Sequence, residues 1–181
     1  MAKQDSFDDV TPDASALIES MRAHGYTLPS AIADLIDNSI AAKARNVWLT
    51  PKWDGQKSWI RIADDGEGMD EDVLRDAMRL GSRHPDEQRD AGDLGRFGLG
   101  LKTASLSQCR RLTVASTTSK RTHVRRWDLD HLARPSVKGW QLLRSPARGS
   151  EDLLETSKVR AHGTVILWEI MDRLVGPESL D

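Results

Sequence analysis

The strand-like segments of this chain come in adjacent pairs, and that order restricts the folds open to it. Alternating apolar residues predict strands at 46–51 and 58–63, joined by a hairpin-type Trp-Asp-Gly turn at 53–55. Three or four further strands are predicted together, at 111–117, 122–129, 139–143 and 164–170. Since helices do not alternate with single strands, the order argues against a doubly wound parallel sheet. It predicts an α+β two-layer sandwich with a mixed, mostly antiparallel sheet and helices on one face.

Helices are predicted mainly before and between these strand groups. Helical periodicity predicts helices over 13–24, from Thr27 or Ser30 to about 42, and over 70–80. Pro29 suits the first turn of the second helix. Segment 98–108 is expected to be a loop that runs into a helix.

The domain organisation follows from these elements. We expect a flexible arm over 1–12, one domain over 13–175 and a tail over 176–181. Residues 81–97 are polar, charged and glycine-containing, and a loop this long in a compact domain is usually functional or disordered.

The composition suits one soluble domain and excludes several function classes. The chain has 181 residues, of which 38% are hydrophobic and 30% charged, which provides for a real core. A net charge of −2 gives no global basic field for nucleic acid or anionic membrane, although a local basic patch remains open. The single cysteine, Cys109, fits a reducing compartment. With no signal-like stretch and no apolar run of about 20 residues, we expect a cytoplasmic protein that does not enter a membrane.

A first cluster of polar residues lies on the second predicted helix. Helical geometry gathers Asp34, Asp37 and Asn38 on one face. Carboxylate and amide oxygens suit Mg²⁺, and a carboxylate can also activate a water by general-base action. An ordinary solvated helix face is the plain alternative. The opposite arc is expected to pack on the sheet and contains Ile32, Leu35, Ile36 and Ile40.

A second cluster, Asp64-Asp65-Gly66-Glu67-Gly68, follows a predicted strand. The two glycines allow a sharp turn and the close approach of a flat ligand, and an acidic residue at a strand end can accept a hydrogen bond from an exocyclic amine. An EF-hand is excluded, because Gly66 and Gly68 occupy ligand positions that need oxygen side chains. A plain turn is the alternative.

A third cluster places three glycines within six residues, from Gly95 to Gly100, before a helix. Backbone N–H groups at a helix N-terminus can cradle an anion, and Lys102 adds a positive charge. The pattern is not a P-loop, because Leu101 separates the last glycine from Lys102 and no strand directly precedes it. A glycine-rich turn that caps a helix is the alternative.

Together and in this order, these clusters resemble the boxes of the GHKL superfamily, which includes DNA gyrase, ninety-kilodalton heat-shock chaperones, histidine kinases and MutL. His162-Gly163-Thr164, followed by Val-Ile-Leu, resembles the final box of that superfamily. The resemblance covers roughly residues 14–170 and implies the Bergerat fold with an ATP lid. The Arg-Phe-Gly-x-Gly-x-Lys pattern at 96–102 is most similar to the Microrchidia-like branch.

The resemblance implies a role for each residue. Asn38 would ligate Mg²⁺, and Asp34 would orient or deprotonate the attacking water. Asp64 would bind the adenine N6 amine, with Thr164 supporting it through water. The pocket would be shaped by Gly66, Gly68 and Met69, and residues 81–94 would form the lid. The phosphates would be held by Gly95, Arg96, Phe97, Gly98, Leu99, Gly100 and Lys102.

Two departures from the superfamily pattern bear on activity. Asp34 stands where these ATPases usually have Glu, and the shorter side chain places the carboxylate about 1 Å from the ideal position, which can cost on the order of 10²-fold in rate. Related ATPases also receive a lysine from a second domain, which we expect here to lie in a longer chain or in a separate partner.

Three functions are therefore weighed. The first is an Mg-dependent ATPase that hydrolyses ATP slowly and acts as a conformational switch or forms an ATP-dependent homodimer. The second is a non-catalytic nucleotide sensor or interaction module. The third is the ATP-binding domain of a histidine kinase, against which stands the absence of a predicted acceptor-histidine helix before residue 34.

Overall fold

The computed structural model describes residues 8, 10–23, 26–81, 100–155 and 161–174. The predicted lid at 81–94, apart from Gly81, lies outside these residues, as do Gly95, Arg96, Phe97, Gly98 and Leu99. The predicted tail at 176–181 and most of the predicted arm at 1–12 lie outside them as well.

The described residues form one five-stranded sheet with the order β1-β2-β5-β3-β4. The four pairings in this sheet are antiparallel. The last strand along the chain therefore lies at the centre, between the two strand pairs. This arrangement confirms the predicted α+β class and the mostly antiparallel sheet. The strands are β1 (Val47–Lys52), β2 (Trp59–Asp64), β3 (Arg111–Thr118), β4 (Arg121–Asp128) and β5 (Gly163–Glu169).

The strand predicted at 139–143 is wrong. Leu143 makes an isolated bridge to Arg126, with backbone N···O distances of 2.8 and 3.0 Å, and no ladder extends from it. Gly139 has a φ of +68°, which interrupts an extended run. The rings of Trp140 and Trp127 instead pack in a T-shaped contact, with centroids 6.3 Å apart. The apolar residues that predicted a strand here therefore serve an aromatic contact and not strand pairing.

Among the described residues five α-helices accompany the sheet, and side-chain caps define several of their starts. Thr27 is the N-cap of α2 and exchanges hydrogen bonds with Ser30 in a capping box, so both predicted cap residues take part. Asp13 and Asp70 are the N-caps of α1 and α3, and the side chain of each accepts a hydrogen bond from a backbone N–H of the first turn. The helices are α1 (Ala14–Arg22), α2 (Leu28–Ala41), α3 (Glu71–Met78), α4 (Gly100–Gln108) and the short α5 (Leu129–Leu132).

The two faces of the sheet bury different clusters, as strand alternation requires. The face toward the helices forms the main core, which includes Ile60, Ile62, Leu112, Val114, Ile166 and Trp168. The other face packs Ala63, Ala115, Val165 and Leu167 beneath Leu154 of a 3-10 turn at Asp152–Leu154. Arg61 holds that turn by donating from Nε to the Leu153 carbonyl oxygen at 2.8 Å.

Helix α2 packs chiefly on α4, and this corrects the expected buried arc. Ala31, Leu35 and Ser39 are buried, whereas Ile40 is 56% exposed. The buried stripe therefore repeats every four residues, and the prediction that Ile40 packs on the sheet is wrong. Because α4 covers the sheet, the side of α2 that carries Ser39 faces the end of β2. Among the described residues, none of the helices is long and apolar enough to cross a membrane.

Candidate functional site

The side chain of Asp64, the last residue of β2, lies at the centre of the candidate site. Its Oδ1 accepts hydrogen bonds from the Gly66 N–H at 2.9 Å and from the Thr164 N–H at 3.2 Å. Its Oδ2 accepts from the Ser39 hydroxyl at 3.1 Å. The sheet register sets Asp64 directly opposite Thr164, so the backbone of β5 delivers the second donor. One carboxylate thus joins α2, the turn after β2, and β5.

The lone pairs of Asp64 define what the site can accept. A carboxylate offers about four acceptor positions, and three of them are used by the protein. The remaining position belongs to Oδ2. Burial raises the pKa of Asp64, while the hydrogen bonds from Gly66, Ser39 and Thr164 act against that rise. A ligand N–H or O–H donor beside Oδ2 would complete the set of partners.

Two glycines after Asp64 allow backbones to approach more closely than side chains would permit. A Cβ at Gly66 would lie 2.8 Å from the Ala42 carbonyl oxygen. Gly68 has a φ of +70°, and a Cβ there would lie 1.9 Å from the carbonyl oxygen of Thr117. The turn is therefore packed against both the end of α2 and β3, and only glycine fits at position 68 without a shift of backbone.

Ser116 of β3 connects the turn to β5. Its Oγ accepts from the Met69 N–H at 2.8 Å and lies 2.9 Å from the Thr164 hydroxyl oxygen. Thr164 thus contacts Asp64 through its backbone N–H and directs its hydroxyl to Ser116. The water that the resemblance inserts between Thr164 and Asp64 stays a prediction.

His162 lies at the rim of this region. Its Nδ1 is 2.6 Å from the carbonyl oxygen of Gly66, so a hydrogen on Nδ1 donates to that carbonyl. This bond ties the residue before β5 to the turn after β2. It supports the position of the turn without closing over Asp64.

The first and third sequence clusters meet at the start of α4. Asp34 and Asn38 are half-buried on α2, while Asp37 is exposed. A Cβ built on Gly100 would lie 3.9 Å from Oδ2 of Asp34, so this carboxylate faces the N-terminus of α4. The positive end of the α4 dipole is found there. The structure thus brings Asp34 and Gly100 together, and Asp64 contacts the same helix α2 further along, at Ser39.

Lys102 is buried, and its Nζ donates to the carbonyl oxygen of Ala77 at 2.7 Å. Ala77 lies in the last turn of α3, where a cation is favourable. In this arrangement the ammonium joins α4 to α3, and its predicted contact with phosphate stays a prediction. The predicted phosphate contacts of Gly95, Arg96, Phe97, Gly98 and Leu99 lie outside the described residues.

The donor set suits Mg²⁺ shared with phosphates and does not suit a metal held by the protein alone. Within the described ranges no group of three or more His, Cys, Asp or Glu side chains is arranged to hold a metal ion. Mg²⁺ commonly takes one or two protein oxygens and completes its shell with phosphate oxygens and water. The amide oxygen of Asn38, one helical turn after Asp34 on α2, is a ligand of the kind that requirement describes.

Sequence reasoning missed Ser39 and Ser116. Ser39 was detectable, because a polar residue interrupts the four-residue repeat of Ala31 and Leu35 on a buried stripe. Ser116 could be found only from the register of β3 against β5, which sets it opposite Thr164.

Comparisons with known proteins agree with this arrangement. Residues 26–164 match the family described as histidine kinase-, DNA gyrase B-, and HSP90-like ATPase. A DNA mismatch repair protein MutL from Thermosipho africanus (strain TCF52B) is 30% identical over 96 residues. That match covers 52% of this chain and 17% of the MutL protein, so the similarity concerns a small part of that relative.

The close contact at Gly68 predicts a large effect of a single methyl group. Gly68→Ala should lower the free energy of unfolding by at least about 3 kcal/mol, because strain at positive φ is added to a backbone clash. Gly55 is a matched control, since it also has positive φ but has nothing within 4 Å of its Cβ position. Gly55→Ala should cost about 1 kcal/mol. Equal losses for the two variants in urea denaturation would contradict the tight packing of the turn.

Proposed function

Since the chain belongs to the histidine kinase-, DNA gyrase B- and HSP90-like ATPase family, we propose that it binds Mg-ATP beside Asp64 and hydrolyses it slowly to ADP and phosphate. The family membership supports ATP binding. The observation that carries the proposal for this chain is the acceptor position on Oδ2 of the buried Asp64 that none of the described residues fills.

The hydrogen-bond pattern at Asp64 suits adenine. Both lone pairs of Oδ1 are taken by backbone N–H groups, so a base can be read only by Oδ2. The 6-amino group of adenine would donate to that position. A 6-oxo purine would instead present an oxygen to a carboxylate oxygen, and a buried site tolerates two facing acceptors poorly. Gly66 and Gly68 have no side chains that would obstruct a flat base beside the turn.

The arrangement around α4 suits the phosphates. The N–H groups at the start of α4 and the helix dipole favour an anion beside Gly100. Asn38 would hold Mg²⁺ through its amide oxygen, and the ion, when bound, would neutralise part of the phosphate charge. Asp34 faces the same helix start and would orient the attacking water or accept its proton. Phosphoryl transfer to water depends mainly on such positioning and on charge stabilisation.

Exchange of the Asp64 carboxylate for an amide tests the adenine assignment. In Asp64→Asn the amide oxygen would keep the backbone donors Gly66 and Thr164, which turns the NH₂ group toward the base. We expect ATP affinity to fall by at least about tenfold, because two donors then face each other. Inosine triphosphate, with an acceptor at the same ring position, should bind the variant better than ATP does. The comparison is made by calorimetry with both nucleotides on wild type and variant.

The fold of Asp64→Asn should survive. Burial raises the pKa of Asp64, so the folded state holds this proton to higher pH than the unfolded chain does. The free energy of unfolding therefore falls as pH rises from the ordinary carboxyl pKa through the raised one. Removing this charge should leave the variant at least as stable as wild type at neutral pH. Unchanged ATP affinity in a folded variant would exclude Asp64 as the group that reads the base.

Variants at residue 34 distinguish ATP binding from ATP hydrolysis. Asp34→Ala should bind Mg-ATP with nearly wild-type affinity and lose phosphate release, because the side chain contacts the water and not the base. Asp34→Glu should release phosphate faster than wild type, since the longer side chain moves the carboxylate toward the position usual in related ATPases. Phosphate release from the alanine variant at the wild-type rate would assign the water to another group. Asp37→Ala, on the exposed side of the same helix, is the control.

A non-catalytic nucleotide sensor is the second candidate function. It is favoured by the shorter carboxylate at residue 34, which reaches less far toward the start of α4 than Glu would. Mg-ATP binding without phosphate release in wild type and in Asp34→Glu would select this function.

We also propose that ATP promotes association of two copies of the chain. Support comes from the family, whose members bind ATP and often dimerise. Analytical ultracentrifugation should show a larger dimer fraction with Mg and a non-hydrolysable ATP analogue than with no nucleotide. Asp64→Asn provides the control, because it should not respond to the analogue at the same concentration. A monomer under all of these conditions would exclude the homodimer switch.

A further inference from the structure

The hydroxyl of Ser39 holds the carboxylate of Asp64, and the proposed function gives it no role of its own. Its Oγ lies 3.1 Å from Oδ2 of Asp64 and 3.2 Å from the carbonyl oxygen of Leu35, one turn back along α2. Ser39 is only 2% exposed, so bulk water does not compete for these contacts. Because a hydroxyl has a single hydrogen, Ser39 can donate to Asp64 and still has a second acceptor within reach.

The two oxygens of the Asp64 carboxylate are held differently. Oδ1 accepts hydrogen bonds from two backbone N–H groups, those of Gly66 and Thr164, whereas Oδ2 is held by the Ser39 hydroxyl. The last side-chain torsion of an aspartate has only a broad preference, so hydrogen-bond partners set the plane of its carboxylate. Ser39 therefore determines the direction in which the remaining lone pair of Oδ2 points.

The backbone places Ser39 without help from its hydroxyl. The Ala44 N–H donates to the Ser39 carbonyl oxygen at 3.0 Å, and the Glu67 N–H donates to the Ala42 carbonyl oxygen at 2.9 Å. The first bond closes the end of α2, and the second joins that end to the turn after β2. Removal of the hydroxyl should therefore leave the helix and the turn in place and change only the partner of Oδ2.

We propose that Ser39 is a specificity-determining residue of the nucleotide site, whose hydroxyl orients the Asp64 carboxylate so that the free lone pair of Oδ2 meets the 6-amino group of a purine. The inference rests on the proposed binding of ATP beside Asp64. Oδ2 has two lone pairs, so the hydroxyl and the amine can share this oxygen. When the amine draws Oδ2 slightly away, the Ser39 hydrogen can turn to the Leu35 carbonyl oxygen and keeps a partner.

Two nucleotides that differ only in the 6-amino group measure this role. ATP and purine riboside triphosphate share the ring, the sugar and the phosphates, and only ATP has the amine. In wild type, ATP should bind at least about tenfold more tightly, the effect of one hydrogen bond to a charged acceptor. In Ser39→Ala this affinity ratio should fall to about threefold or less, because Oδ2 is no longer oriented. Calorimetry with Mg²⁺ and each nucleotide gives the ratio.

The ratio separates specificity from a merely structural effect. A general loosening of the site would weaken the binding of both nucleotides alike and leave the ratio unchanged. An effect on the amine alone should leave the affinity for purine riboside triphosphate within about twofold of wild type, since that nucleotide has no donor for Oδ2.

Two further variants control the comparison. Ser105 is a fully buried serine of α4 whose hydroxyl has no hydrogen-bond partner among the described residues, so Ser105→Ala should keep the wild-type ratio. Ser39→Cys keeps a side chain of similar shape with a weaker donor, so its ratio should lie between those of wild type and Ser39→Ala. The cysteine variant also provides the test if the alanine variant does not fold.

Three results would contradict different parts of the account. A wild-type ratio in folded Ser39→Ala or Ser39→Cys would overturn the inference and leave the role of Asp64 intact. Equal binding of the two nucleotides to wild type would remove the base-reading role of Asp64 and this inference with it. Absence of Mg-ATP binding to wild type would overturn the proposed function itself.

Discussion

The buried carboxylate of Asp64 accepts hydrogen bonds from three separate parts of the chain, and the rest of the candidate site depends on it. Ser39 brings the last turn of α2 to the end of β2, Gly66 closes the turn, and Thr164 adds the start of β5. Burying a carboxylate is costly unless hydrogen bonds compensate for the lost water, and three donors do so at Asp64. The same requirement that holds these elements together leaves one position that a ligand donor can fill.

The position of β5 makes this convergence possible. Strand β5 lies between β2 and β3, so residues that are distant in sequence become neighbours in the sheet. Thr164 faces Asp64 on one side and Ser116 on the other, and Ser116 in turn receives the Met69 N–H. The turn after β2 is therefore fixed on both sides by the sheet. It does not need a side chain at Gly68, where none would fit.

Helix α4 begins at the proposed phosphate side of the site. It lies over the sheet, buries most of its length, and carries α2 on its outer surface. Its start faces Asp34, and its last residue Gln108 holds the backbone of Tyr26. The start of α4 thus lies beside the carboxylate of residue 34, and its end anchors the segment that precedes α2.

Much of this arrangement could be predicted from local pattern, and the remainder depends on contacts distant in sequence. The helix caps at Thr27 and Asp70 and the antiparallel sheet follow from short-range chemistry, which a sequence displays directly. The prediction of a strand at 139–143 was wrong because Trp140 packs against Trp127, a residue of a different element. Ile40 was predicted to be buried because periodicity does not reveal that α4, and not the sheet, is the neighbour of α2. Ser116 escaped notice for a similar reason, since its contacts follow from the register of β3 against β5.

Calorimetric titration of the wild-type chain with Mg-ATP, with phosphate release followed in the same samples, tests the central claim most directly. The account predicts saturable binding of one nucleotide per chain and slow release of phosphate. Saturable binding without release would keep the adenine site and assign the chain to the nucleotide sensors. No detectable heat of binding at millimolar Mg-ATP, in protein shown to be folded, would contradict the account of Asp64 as a nucleotide-reading group.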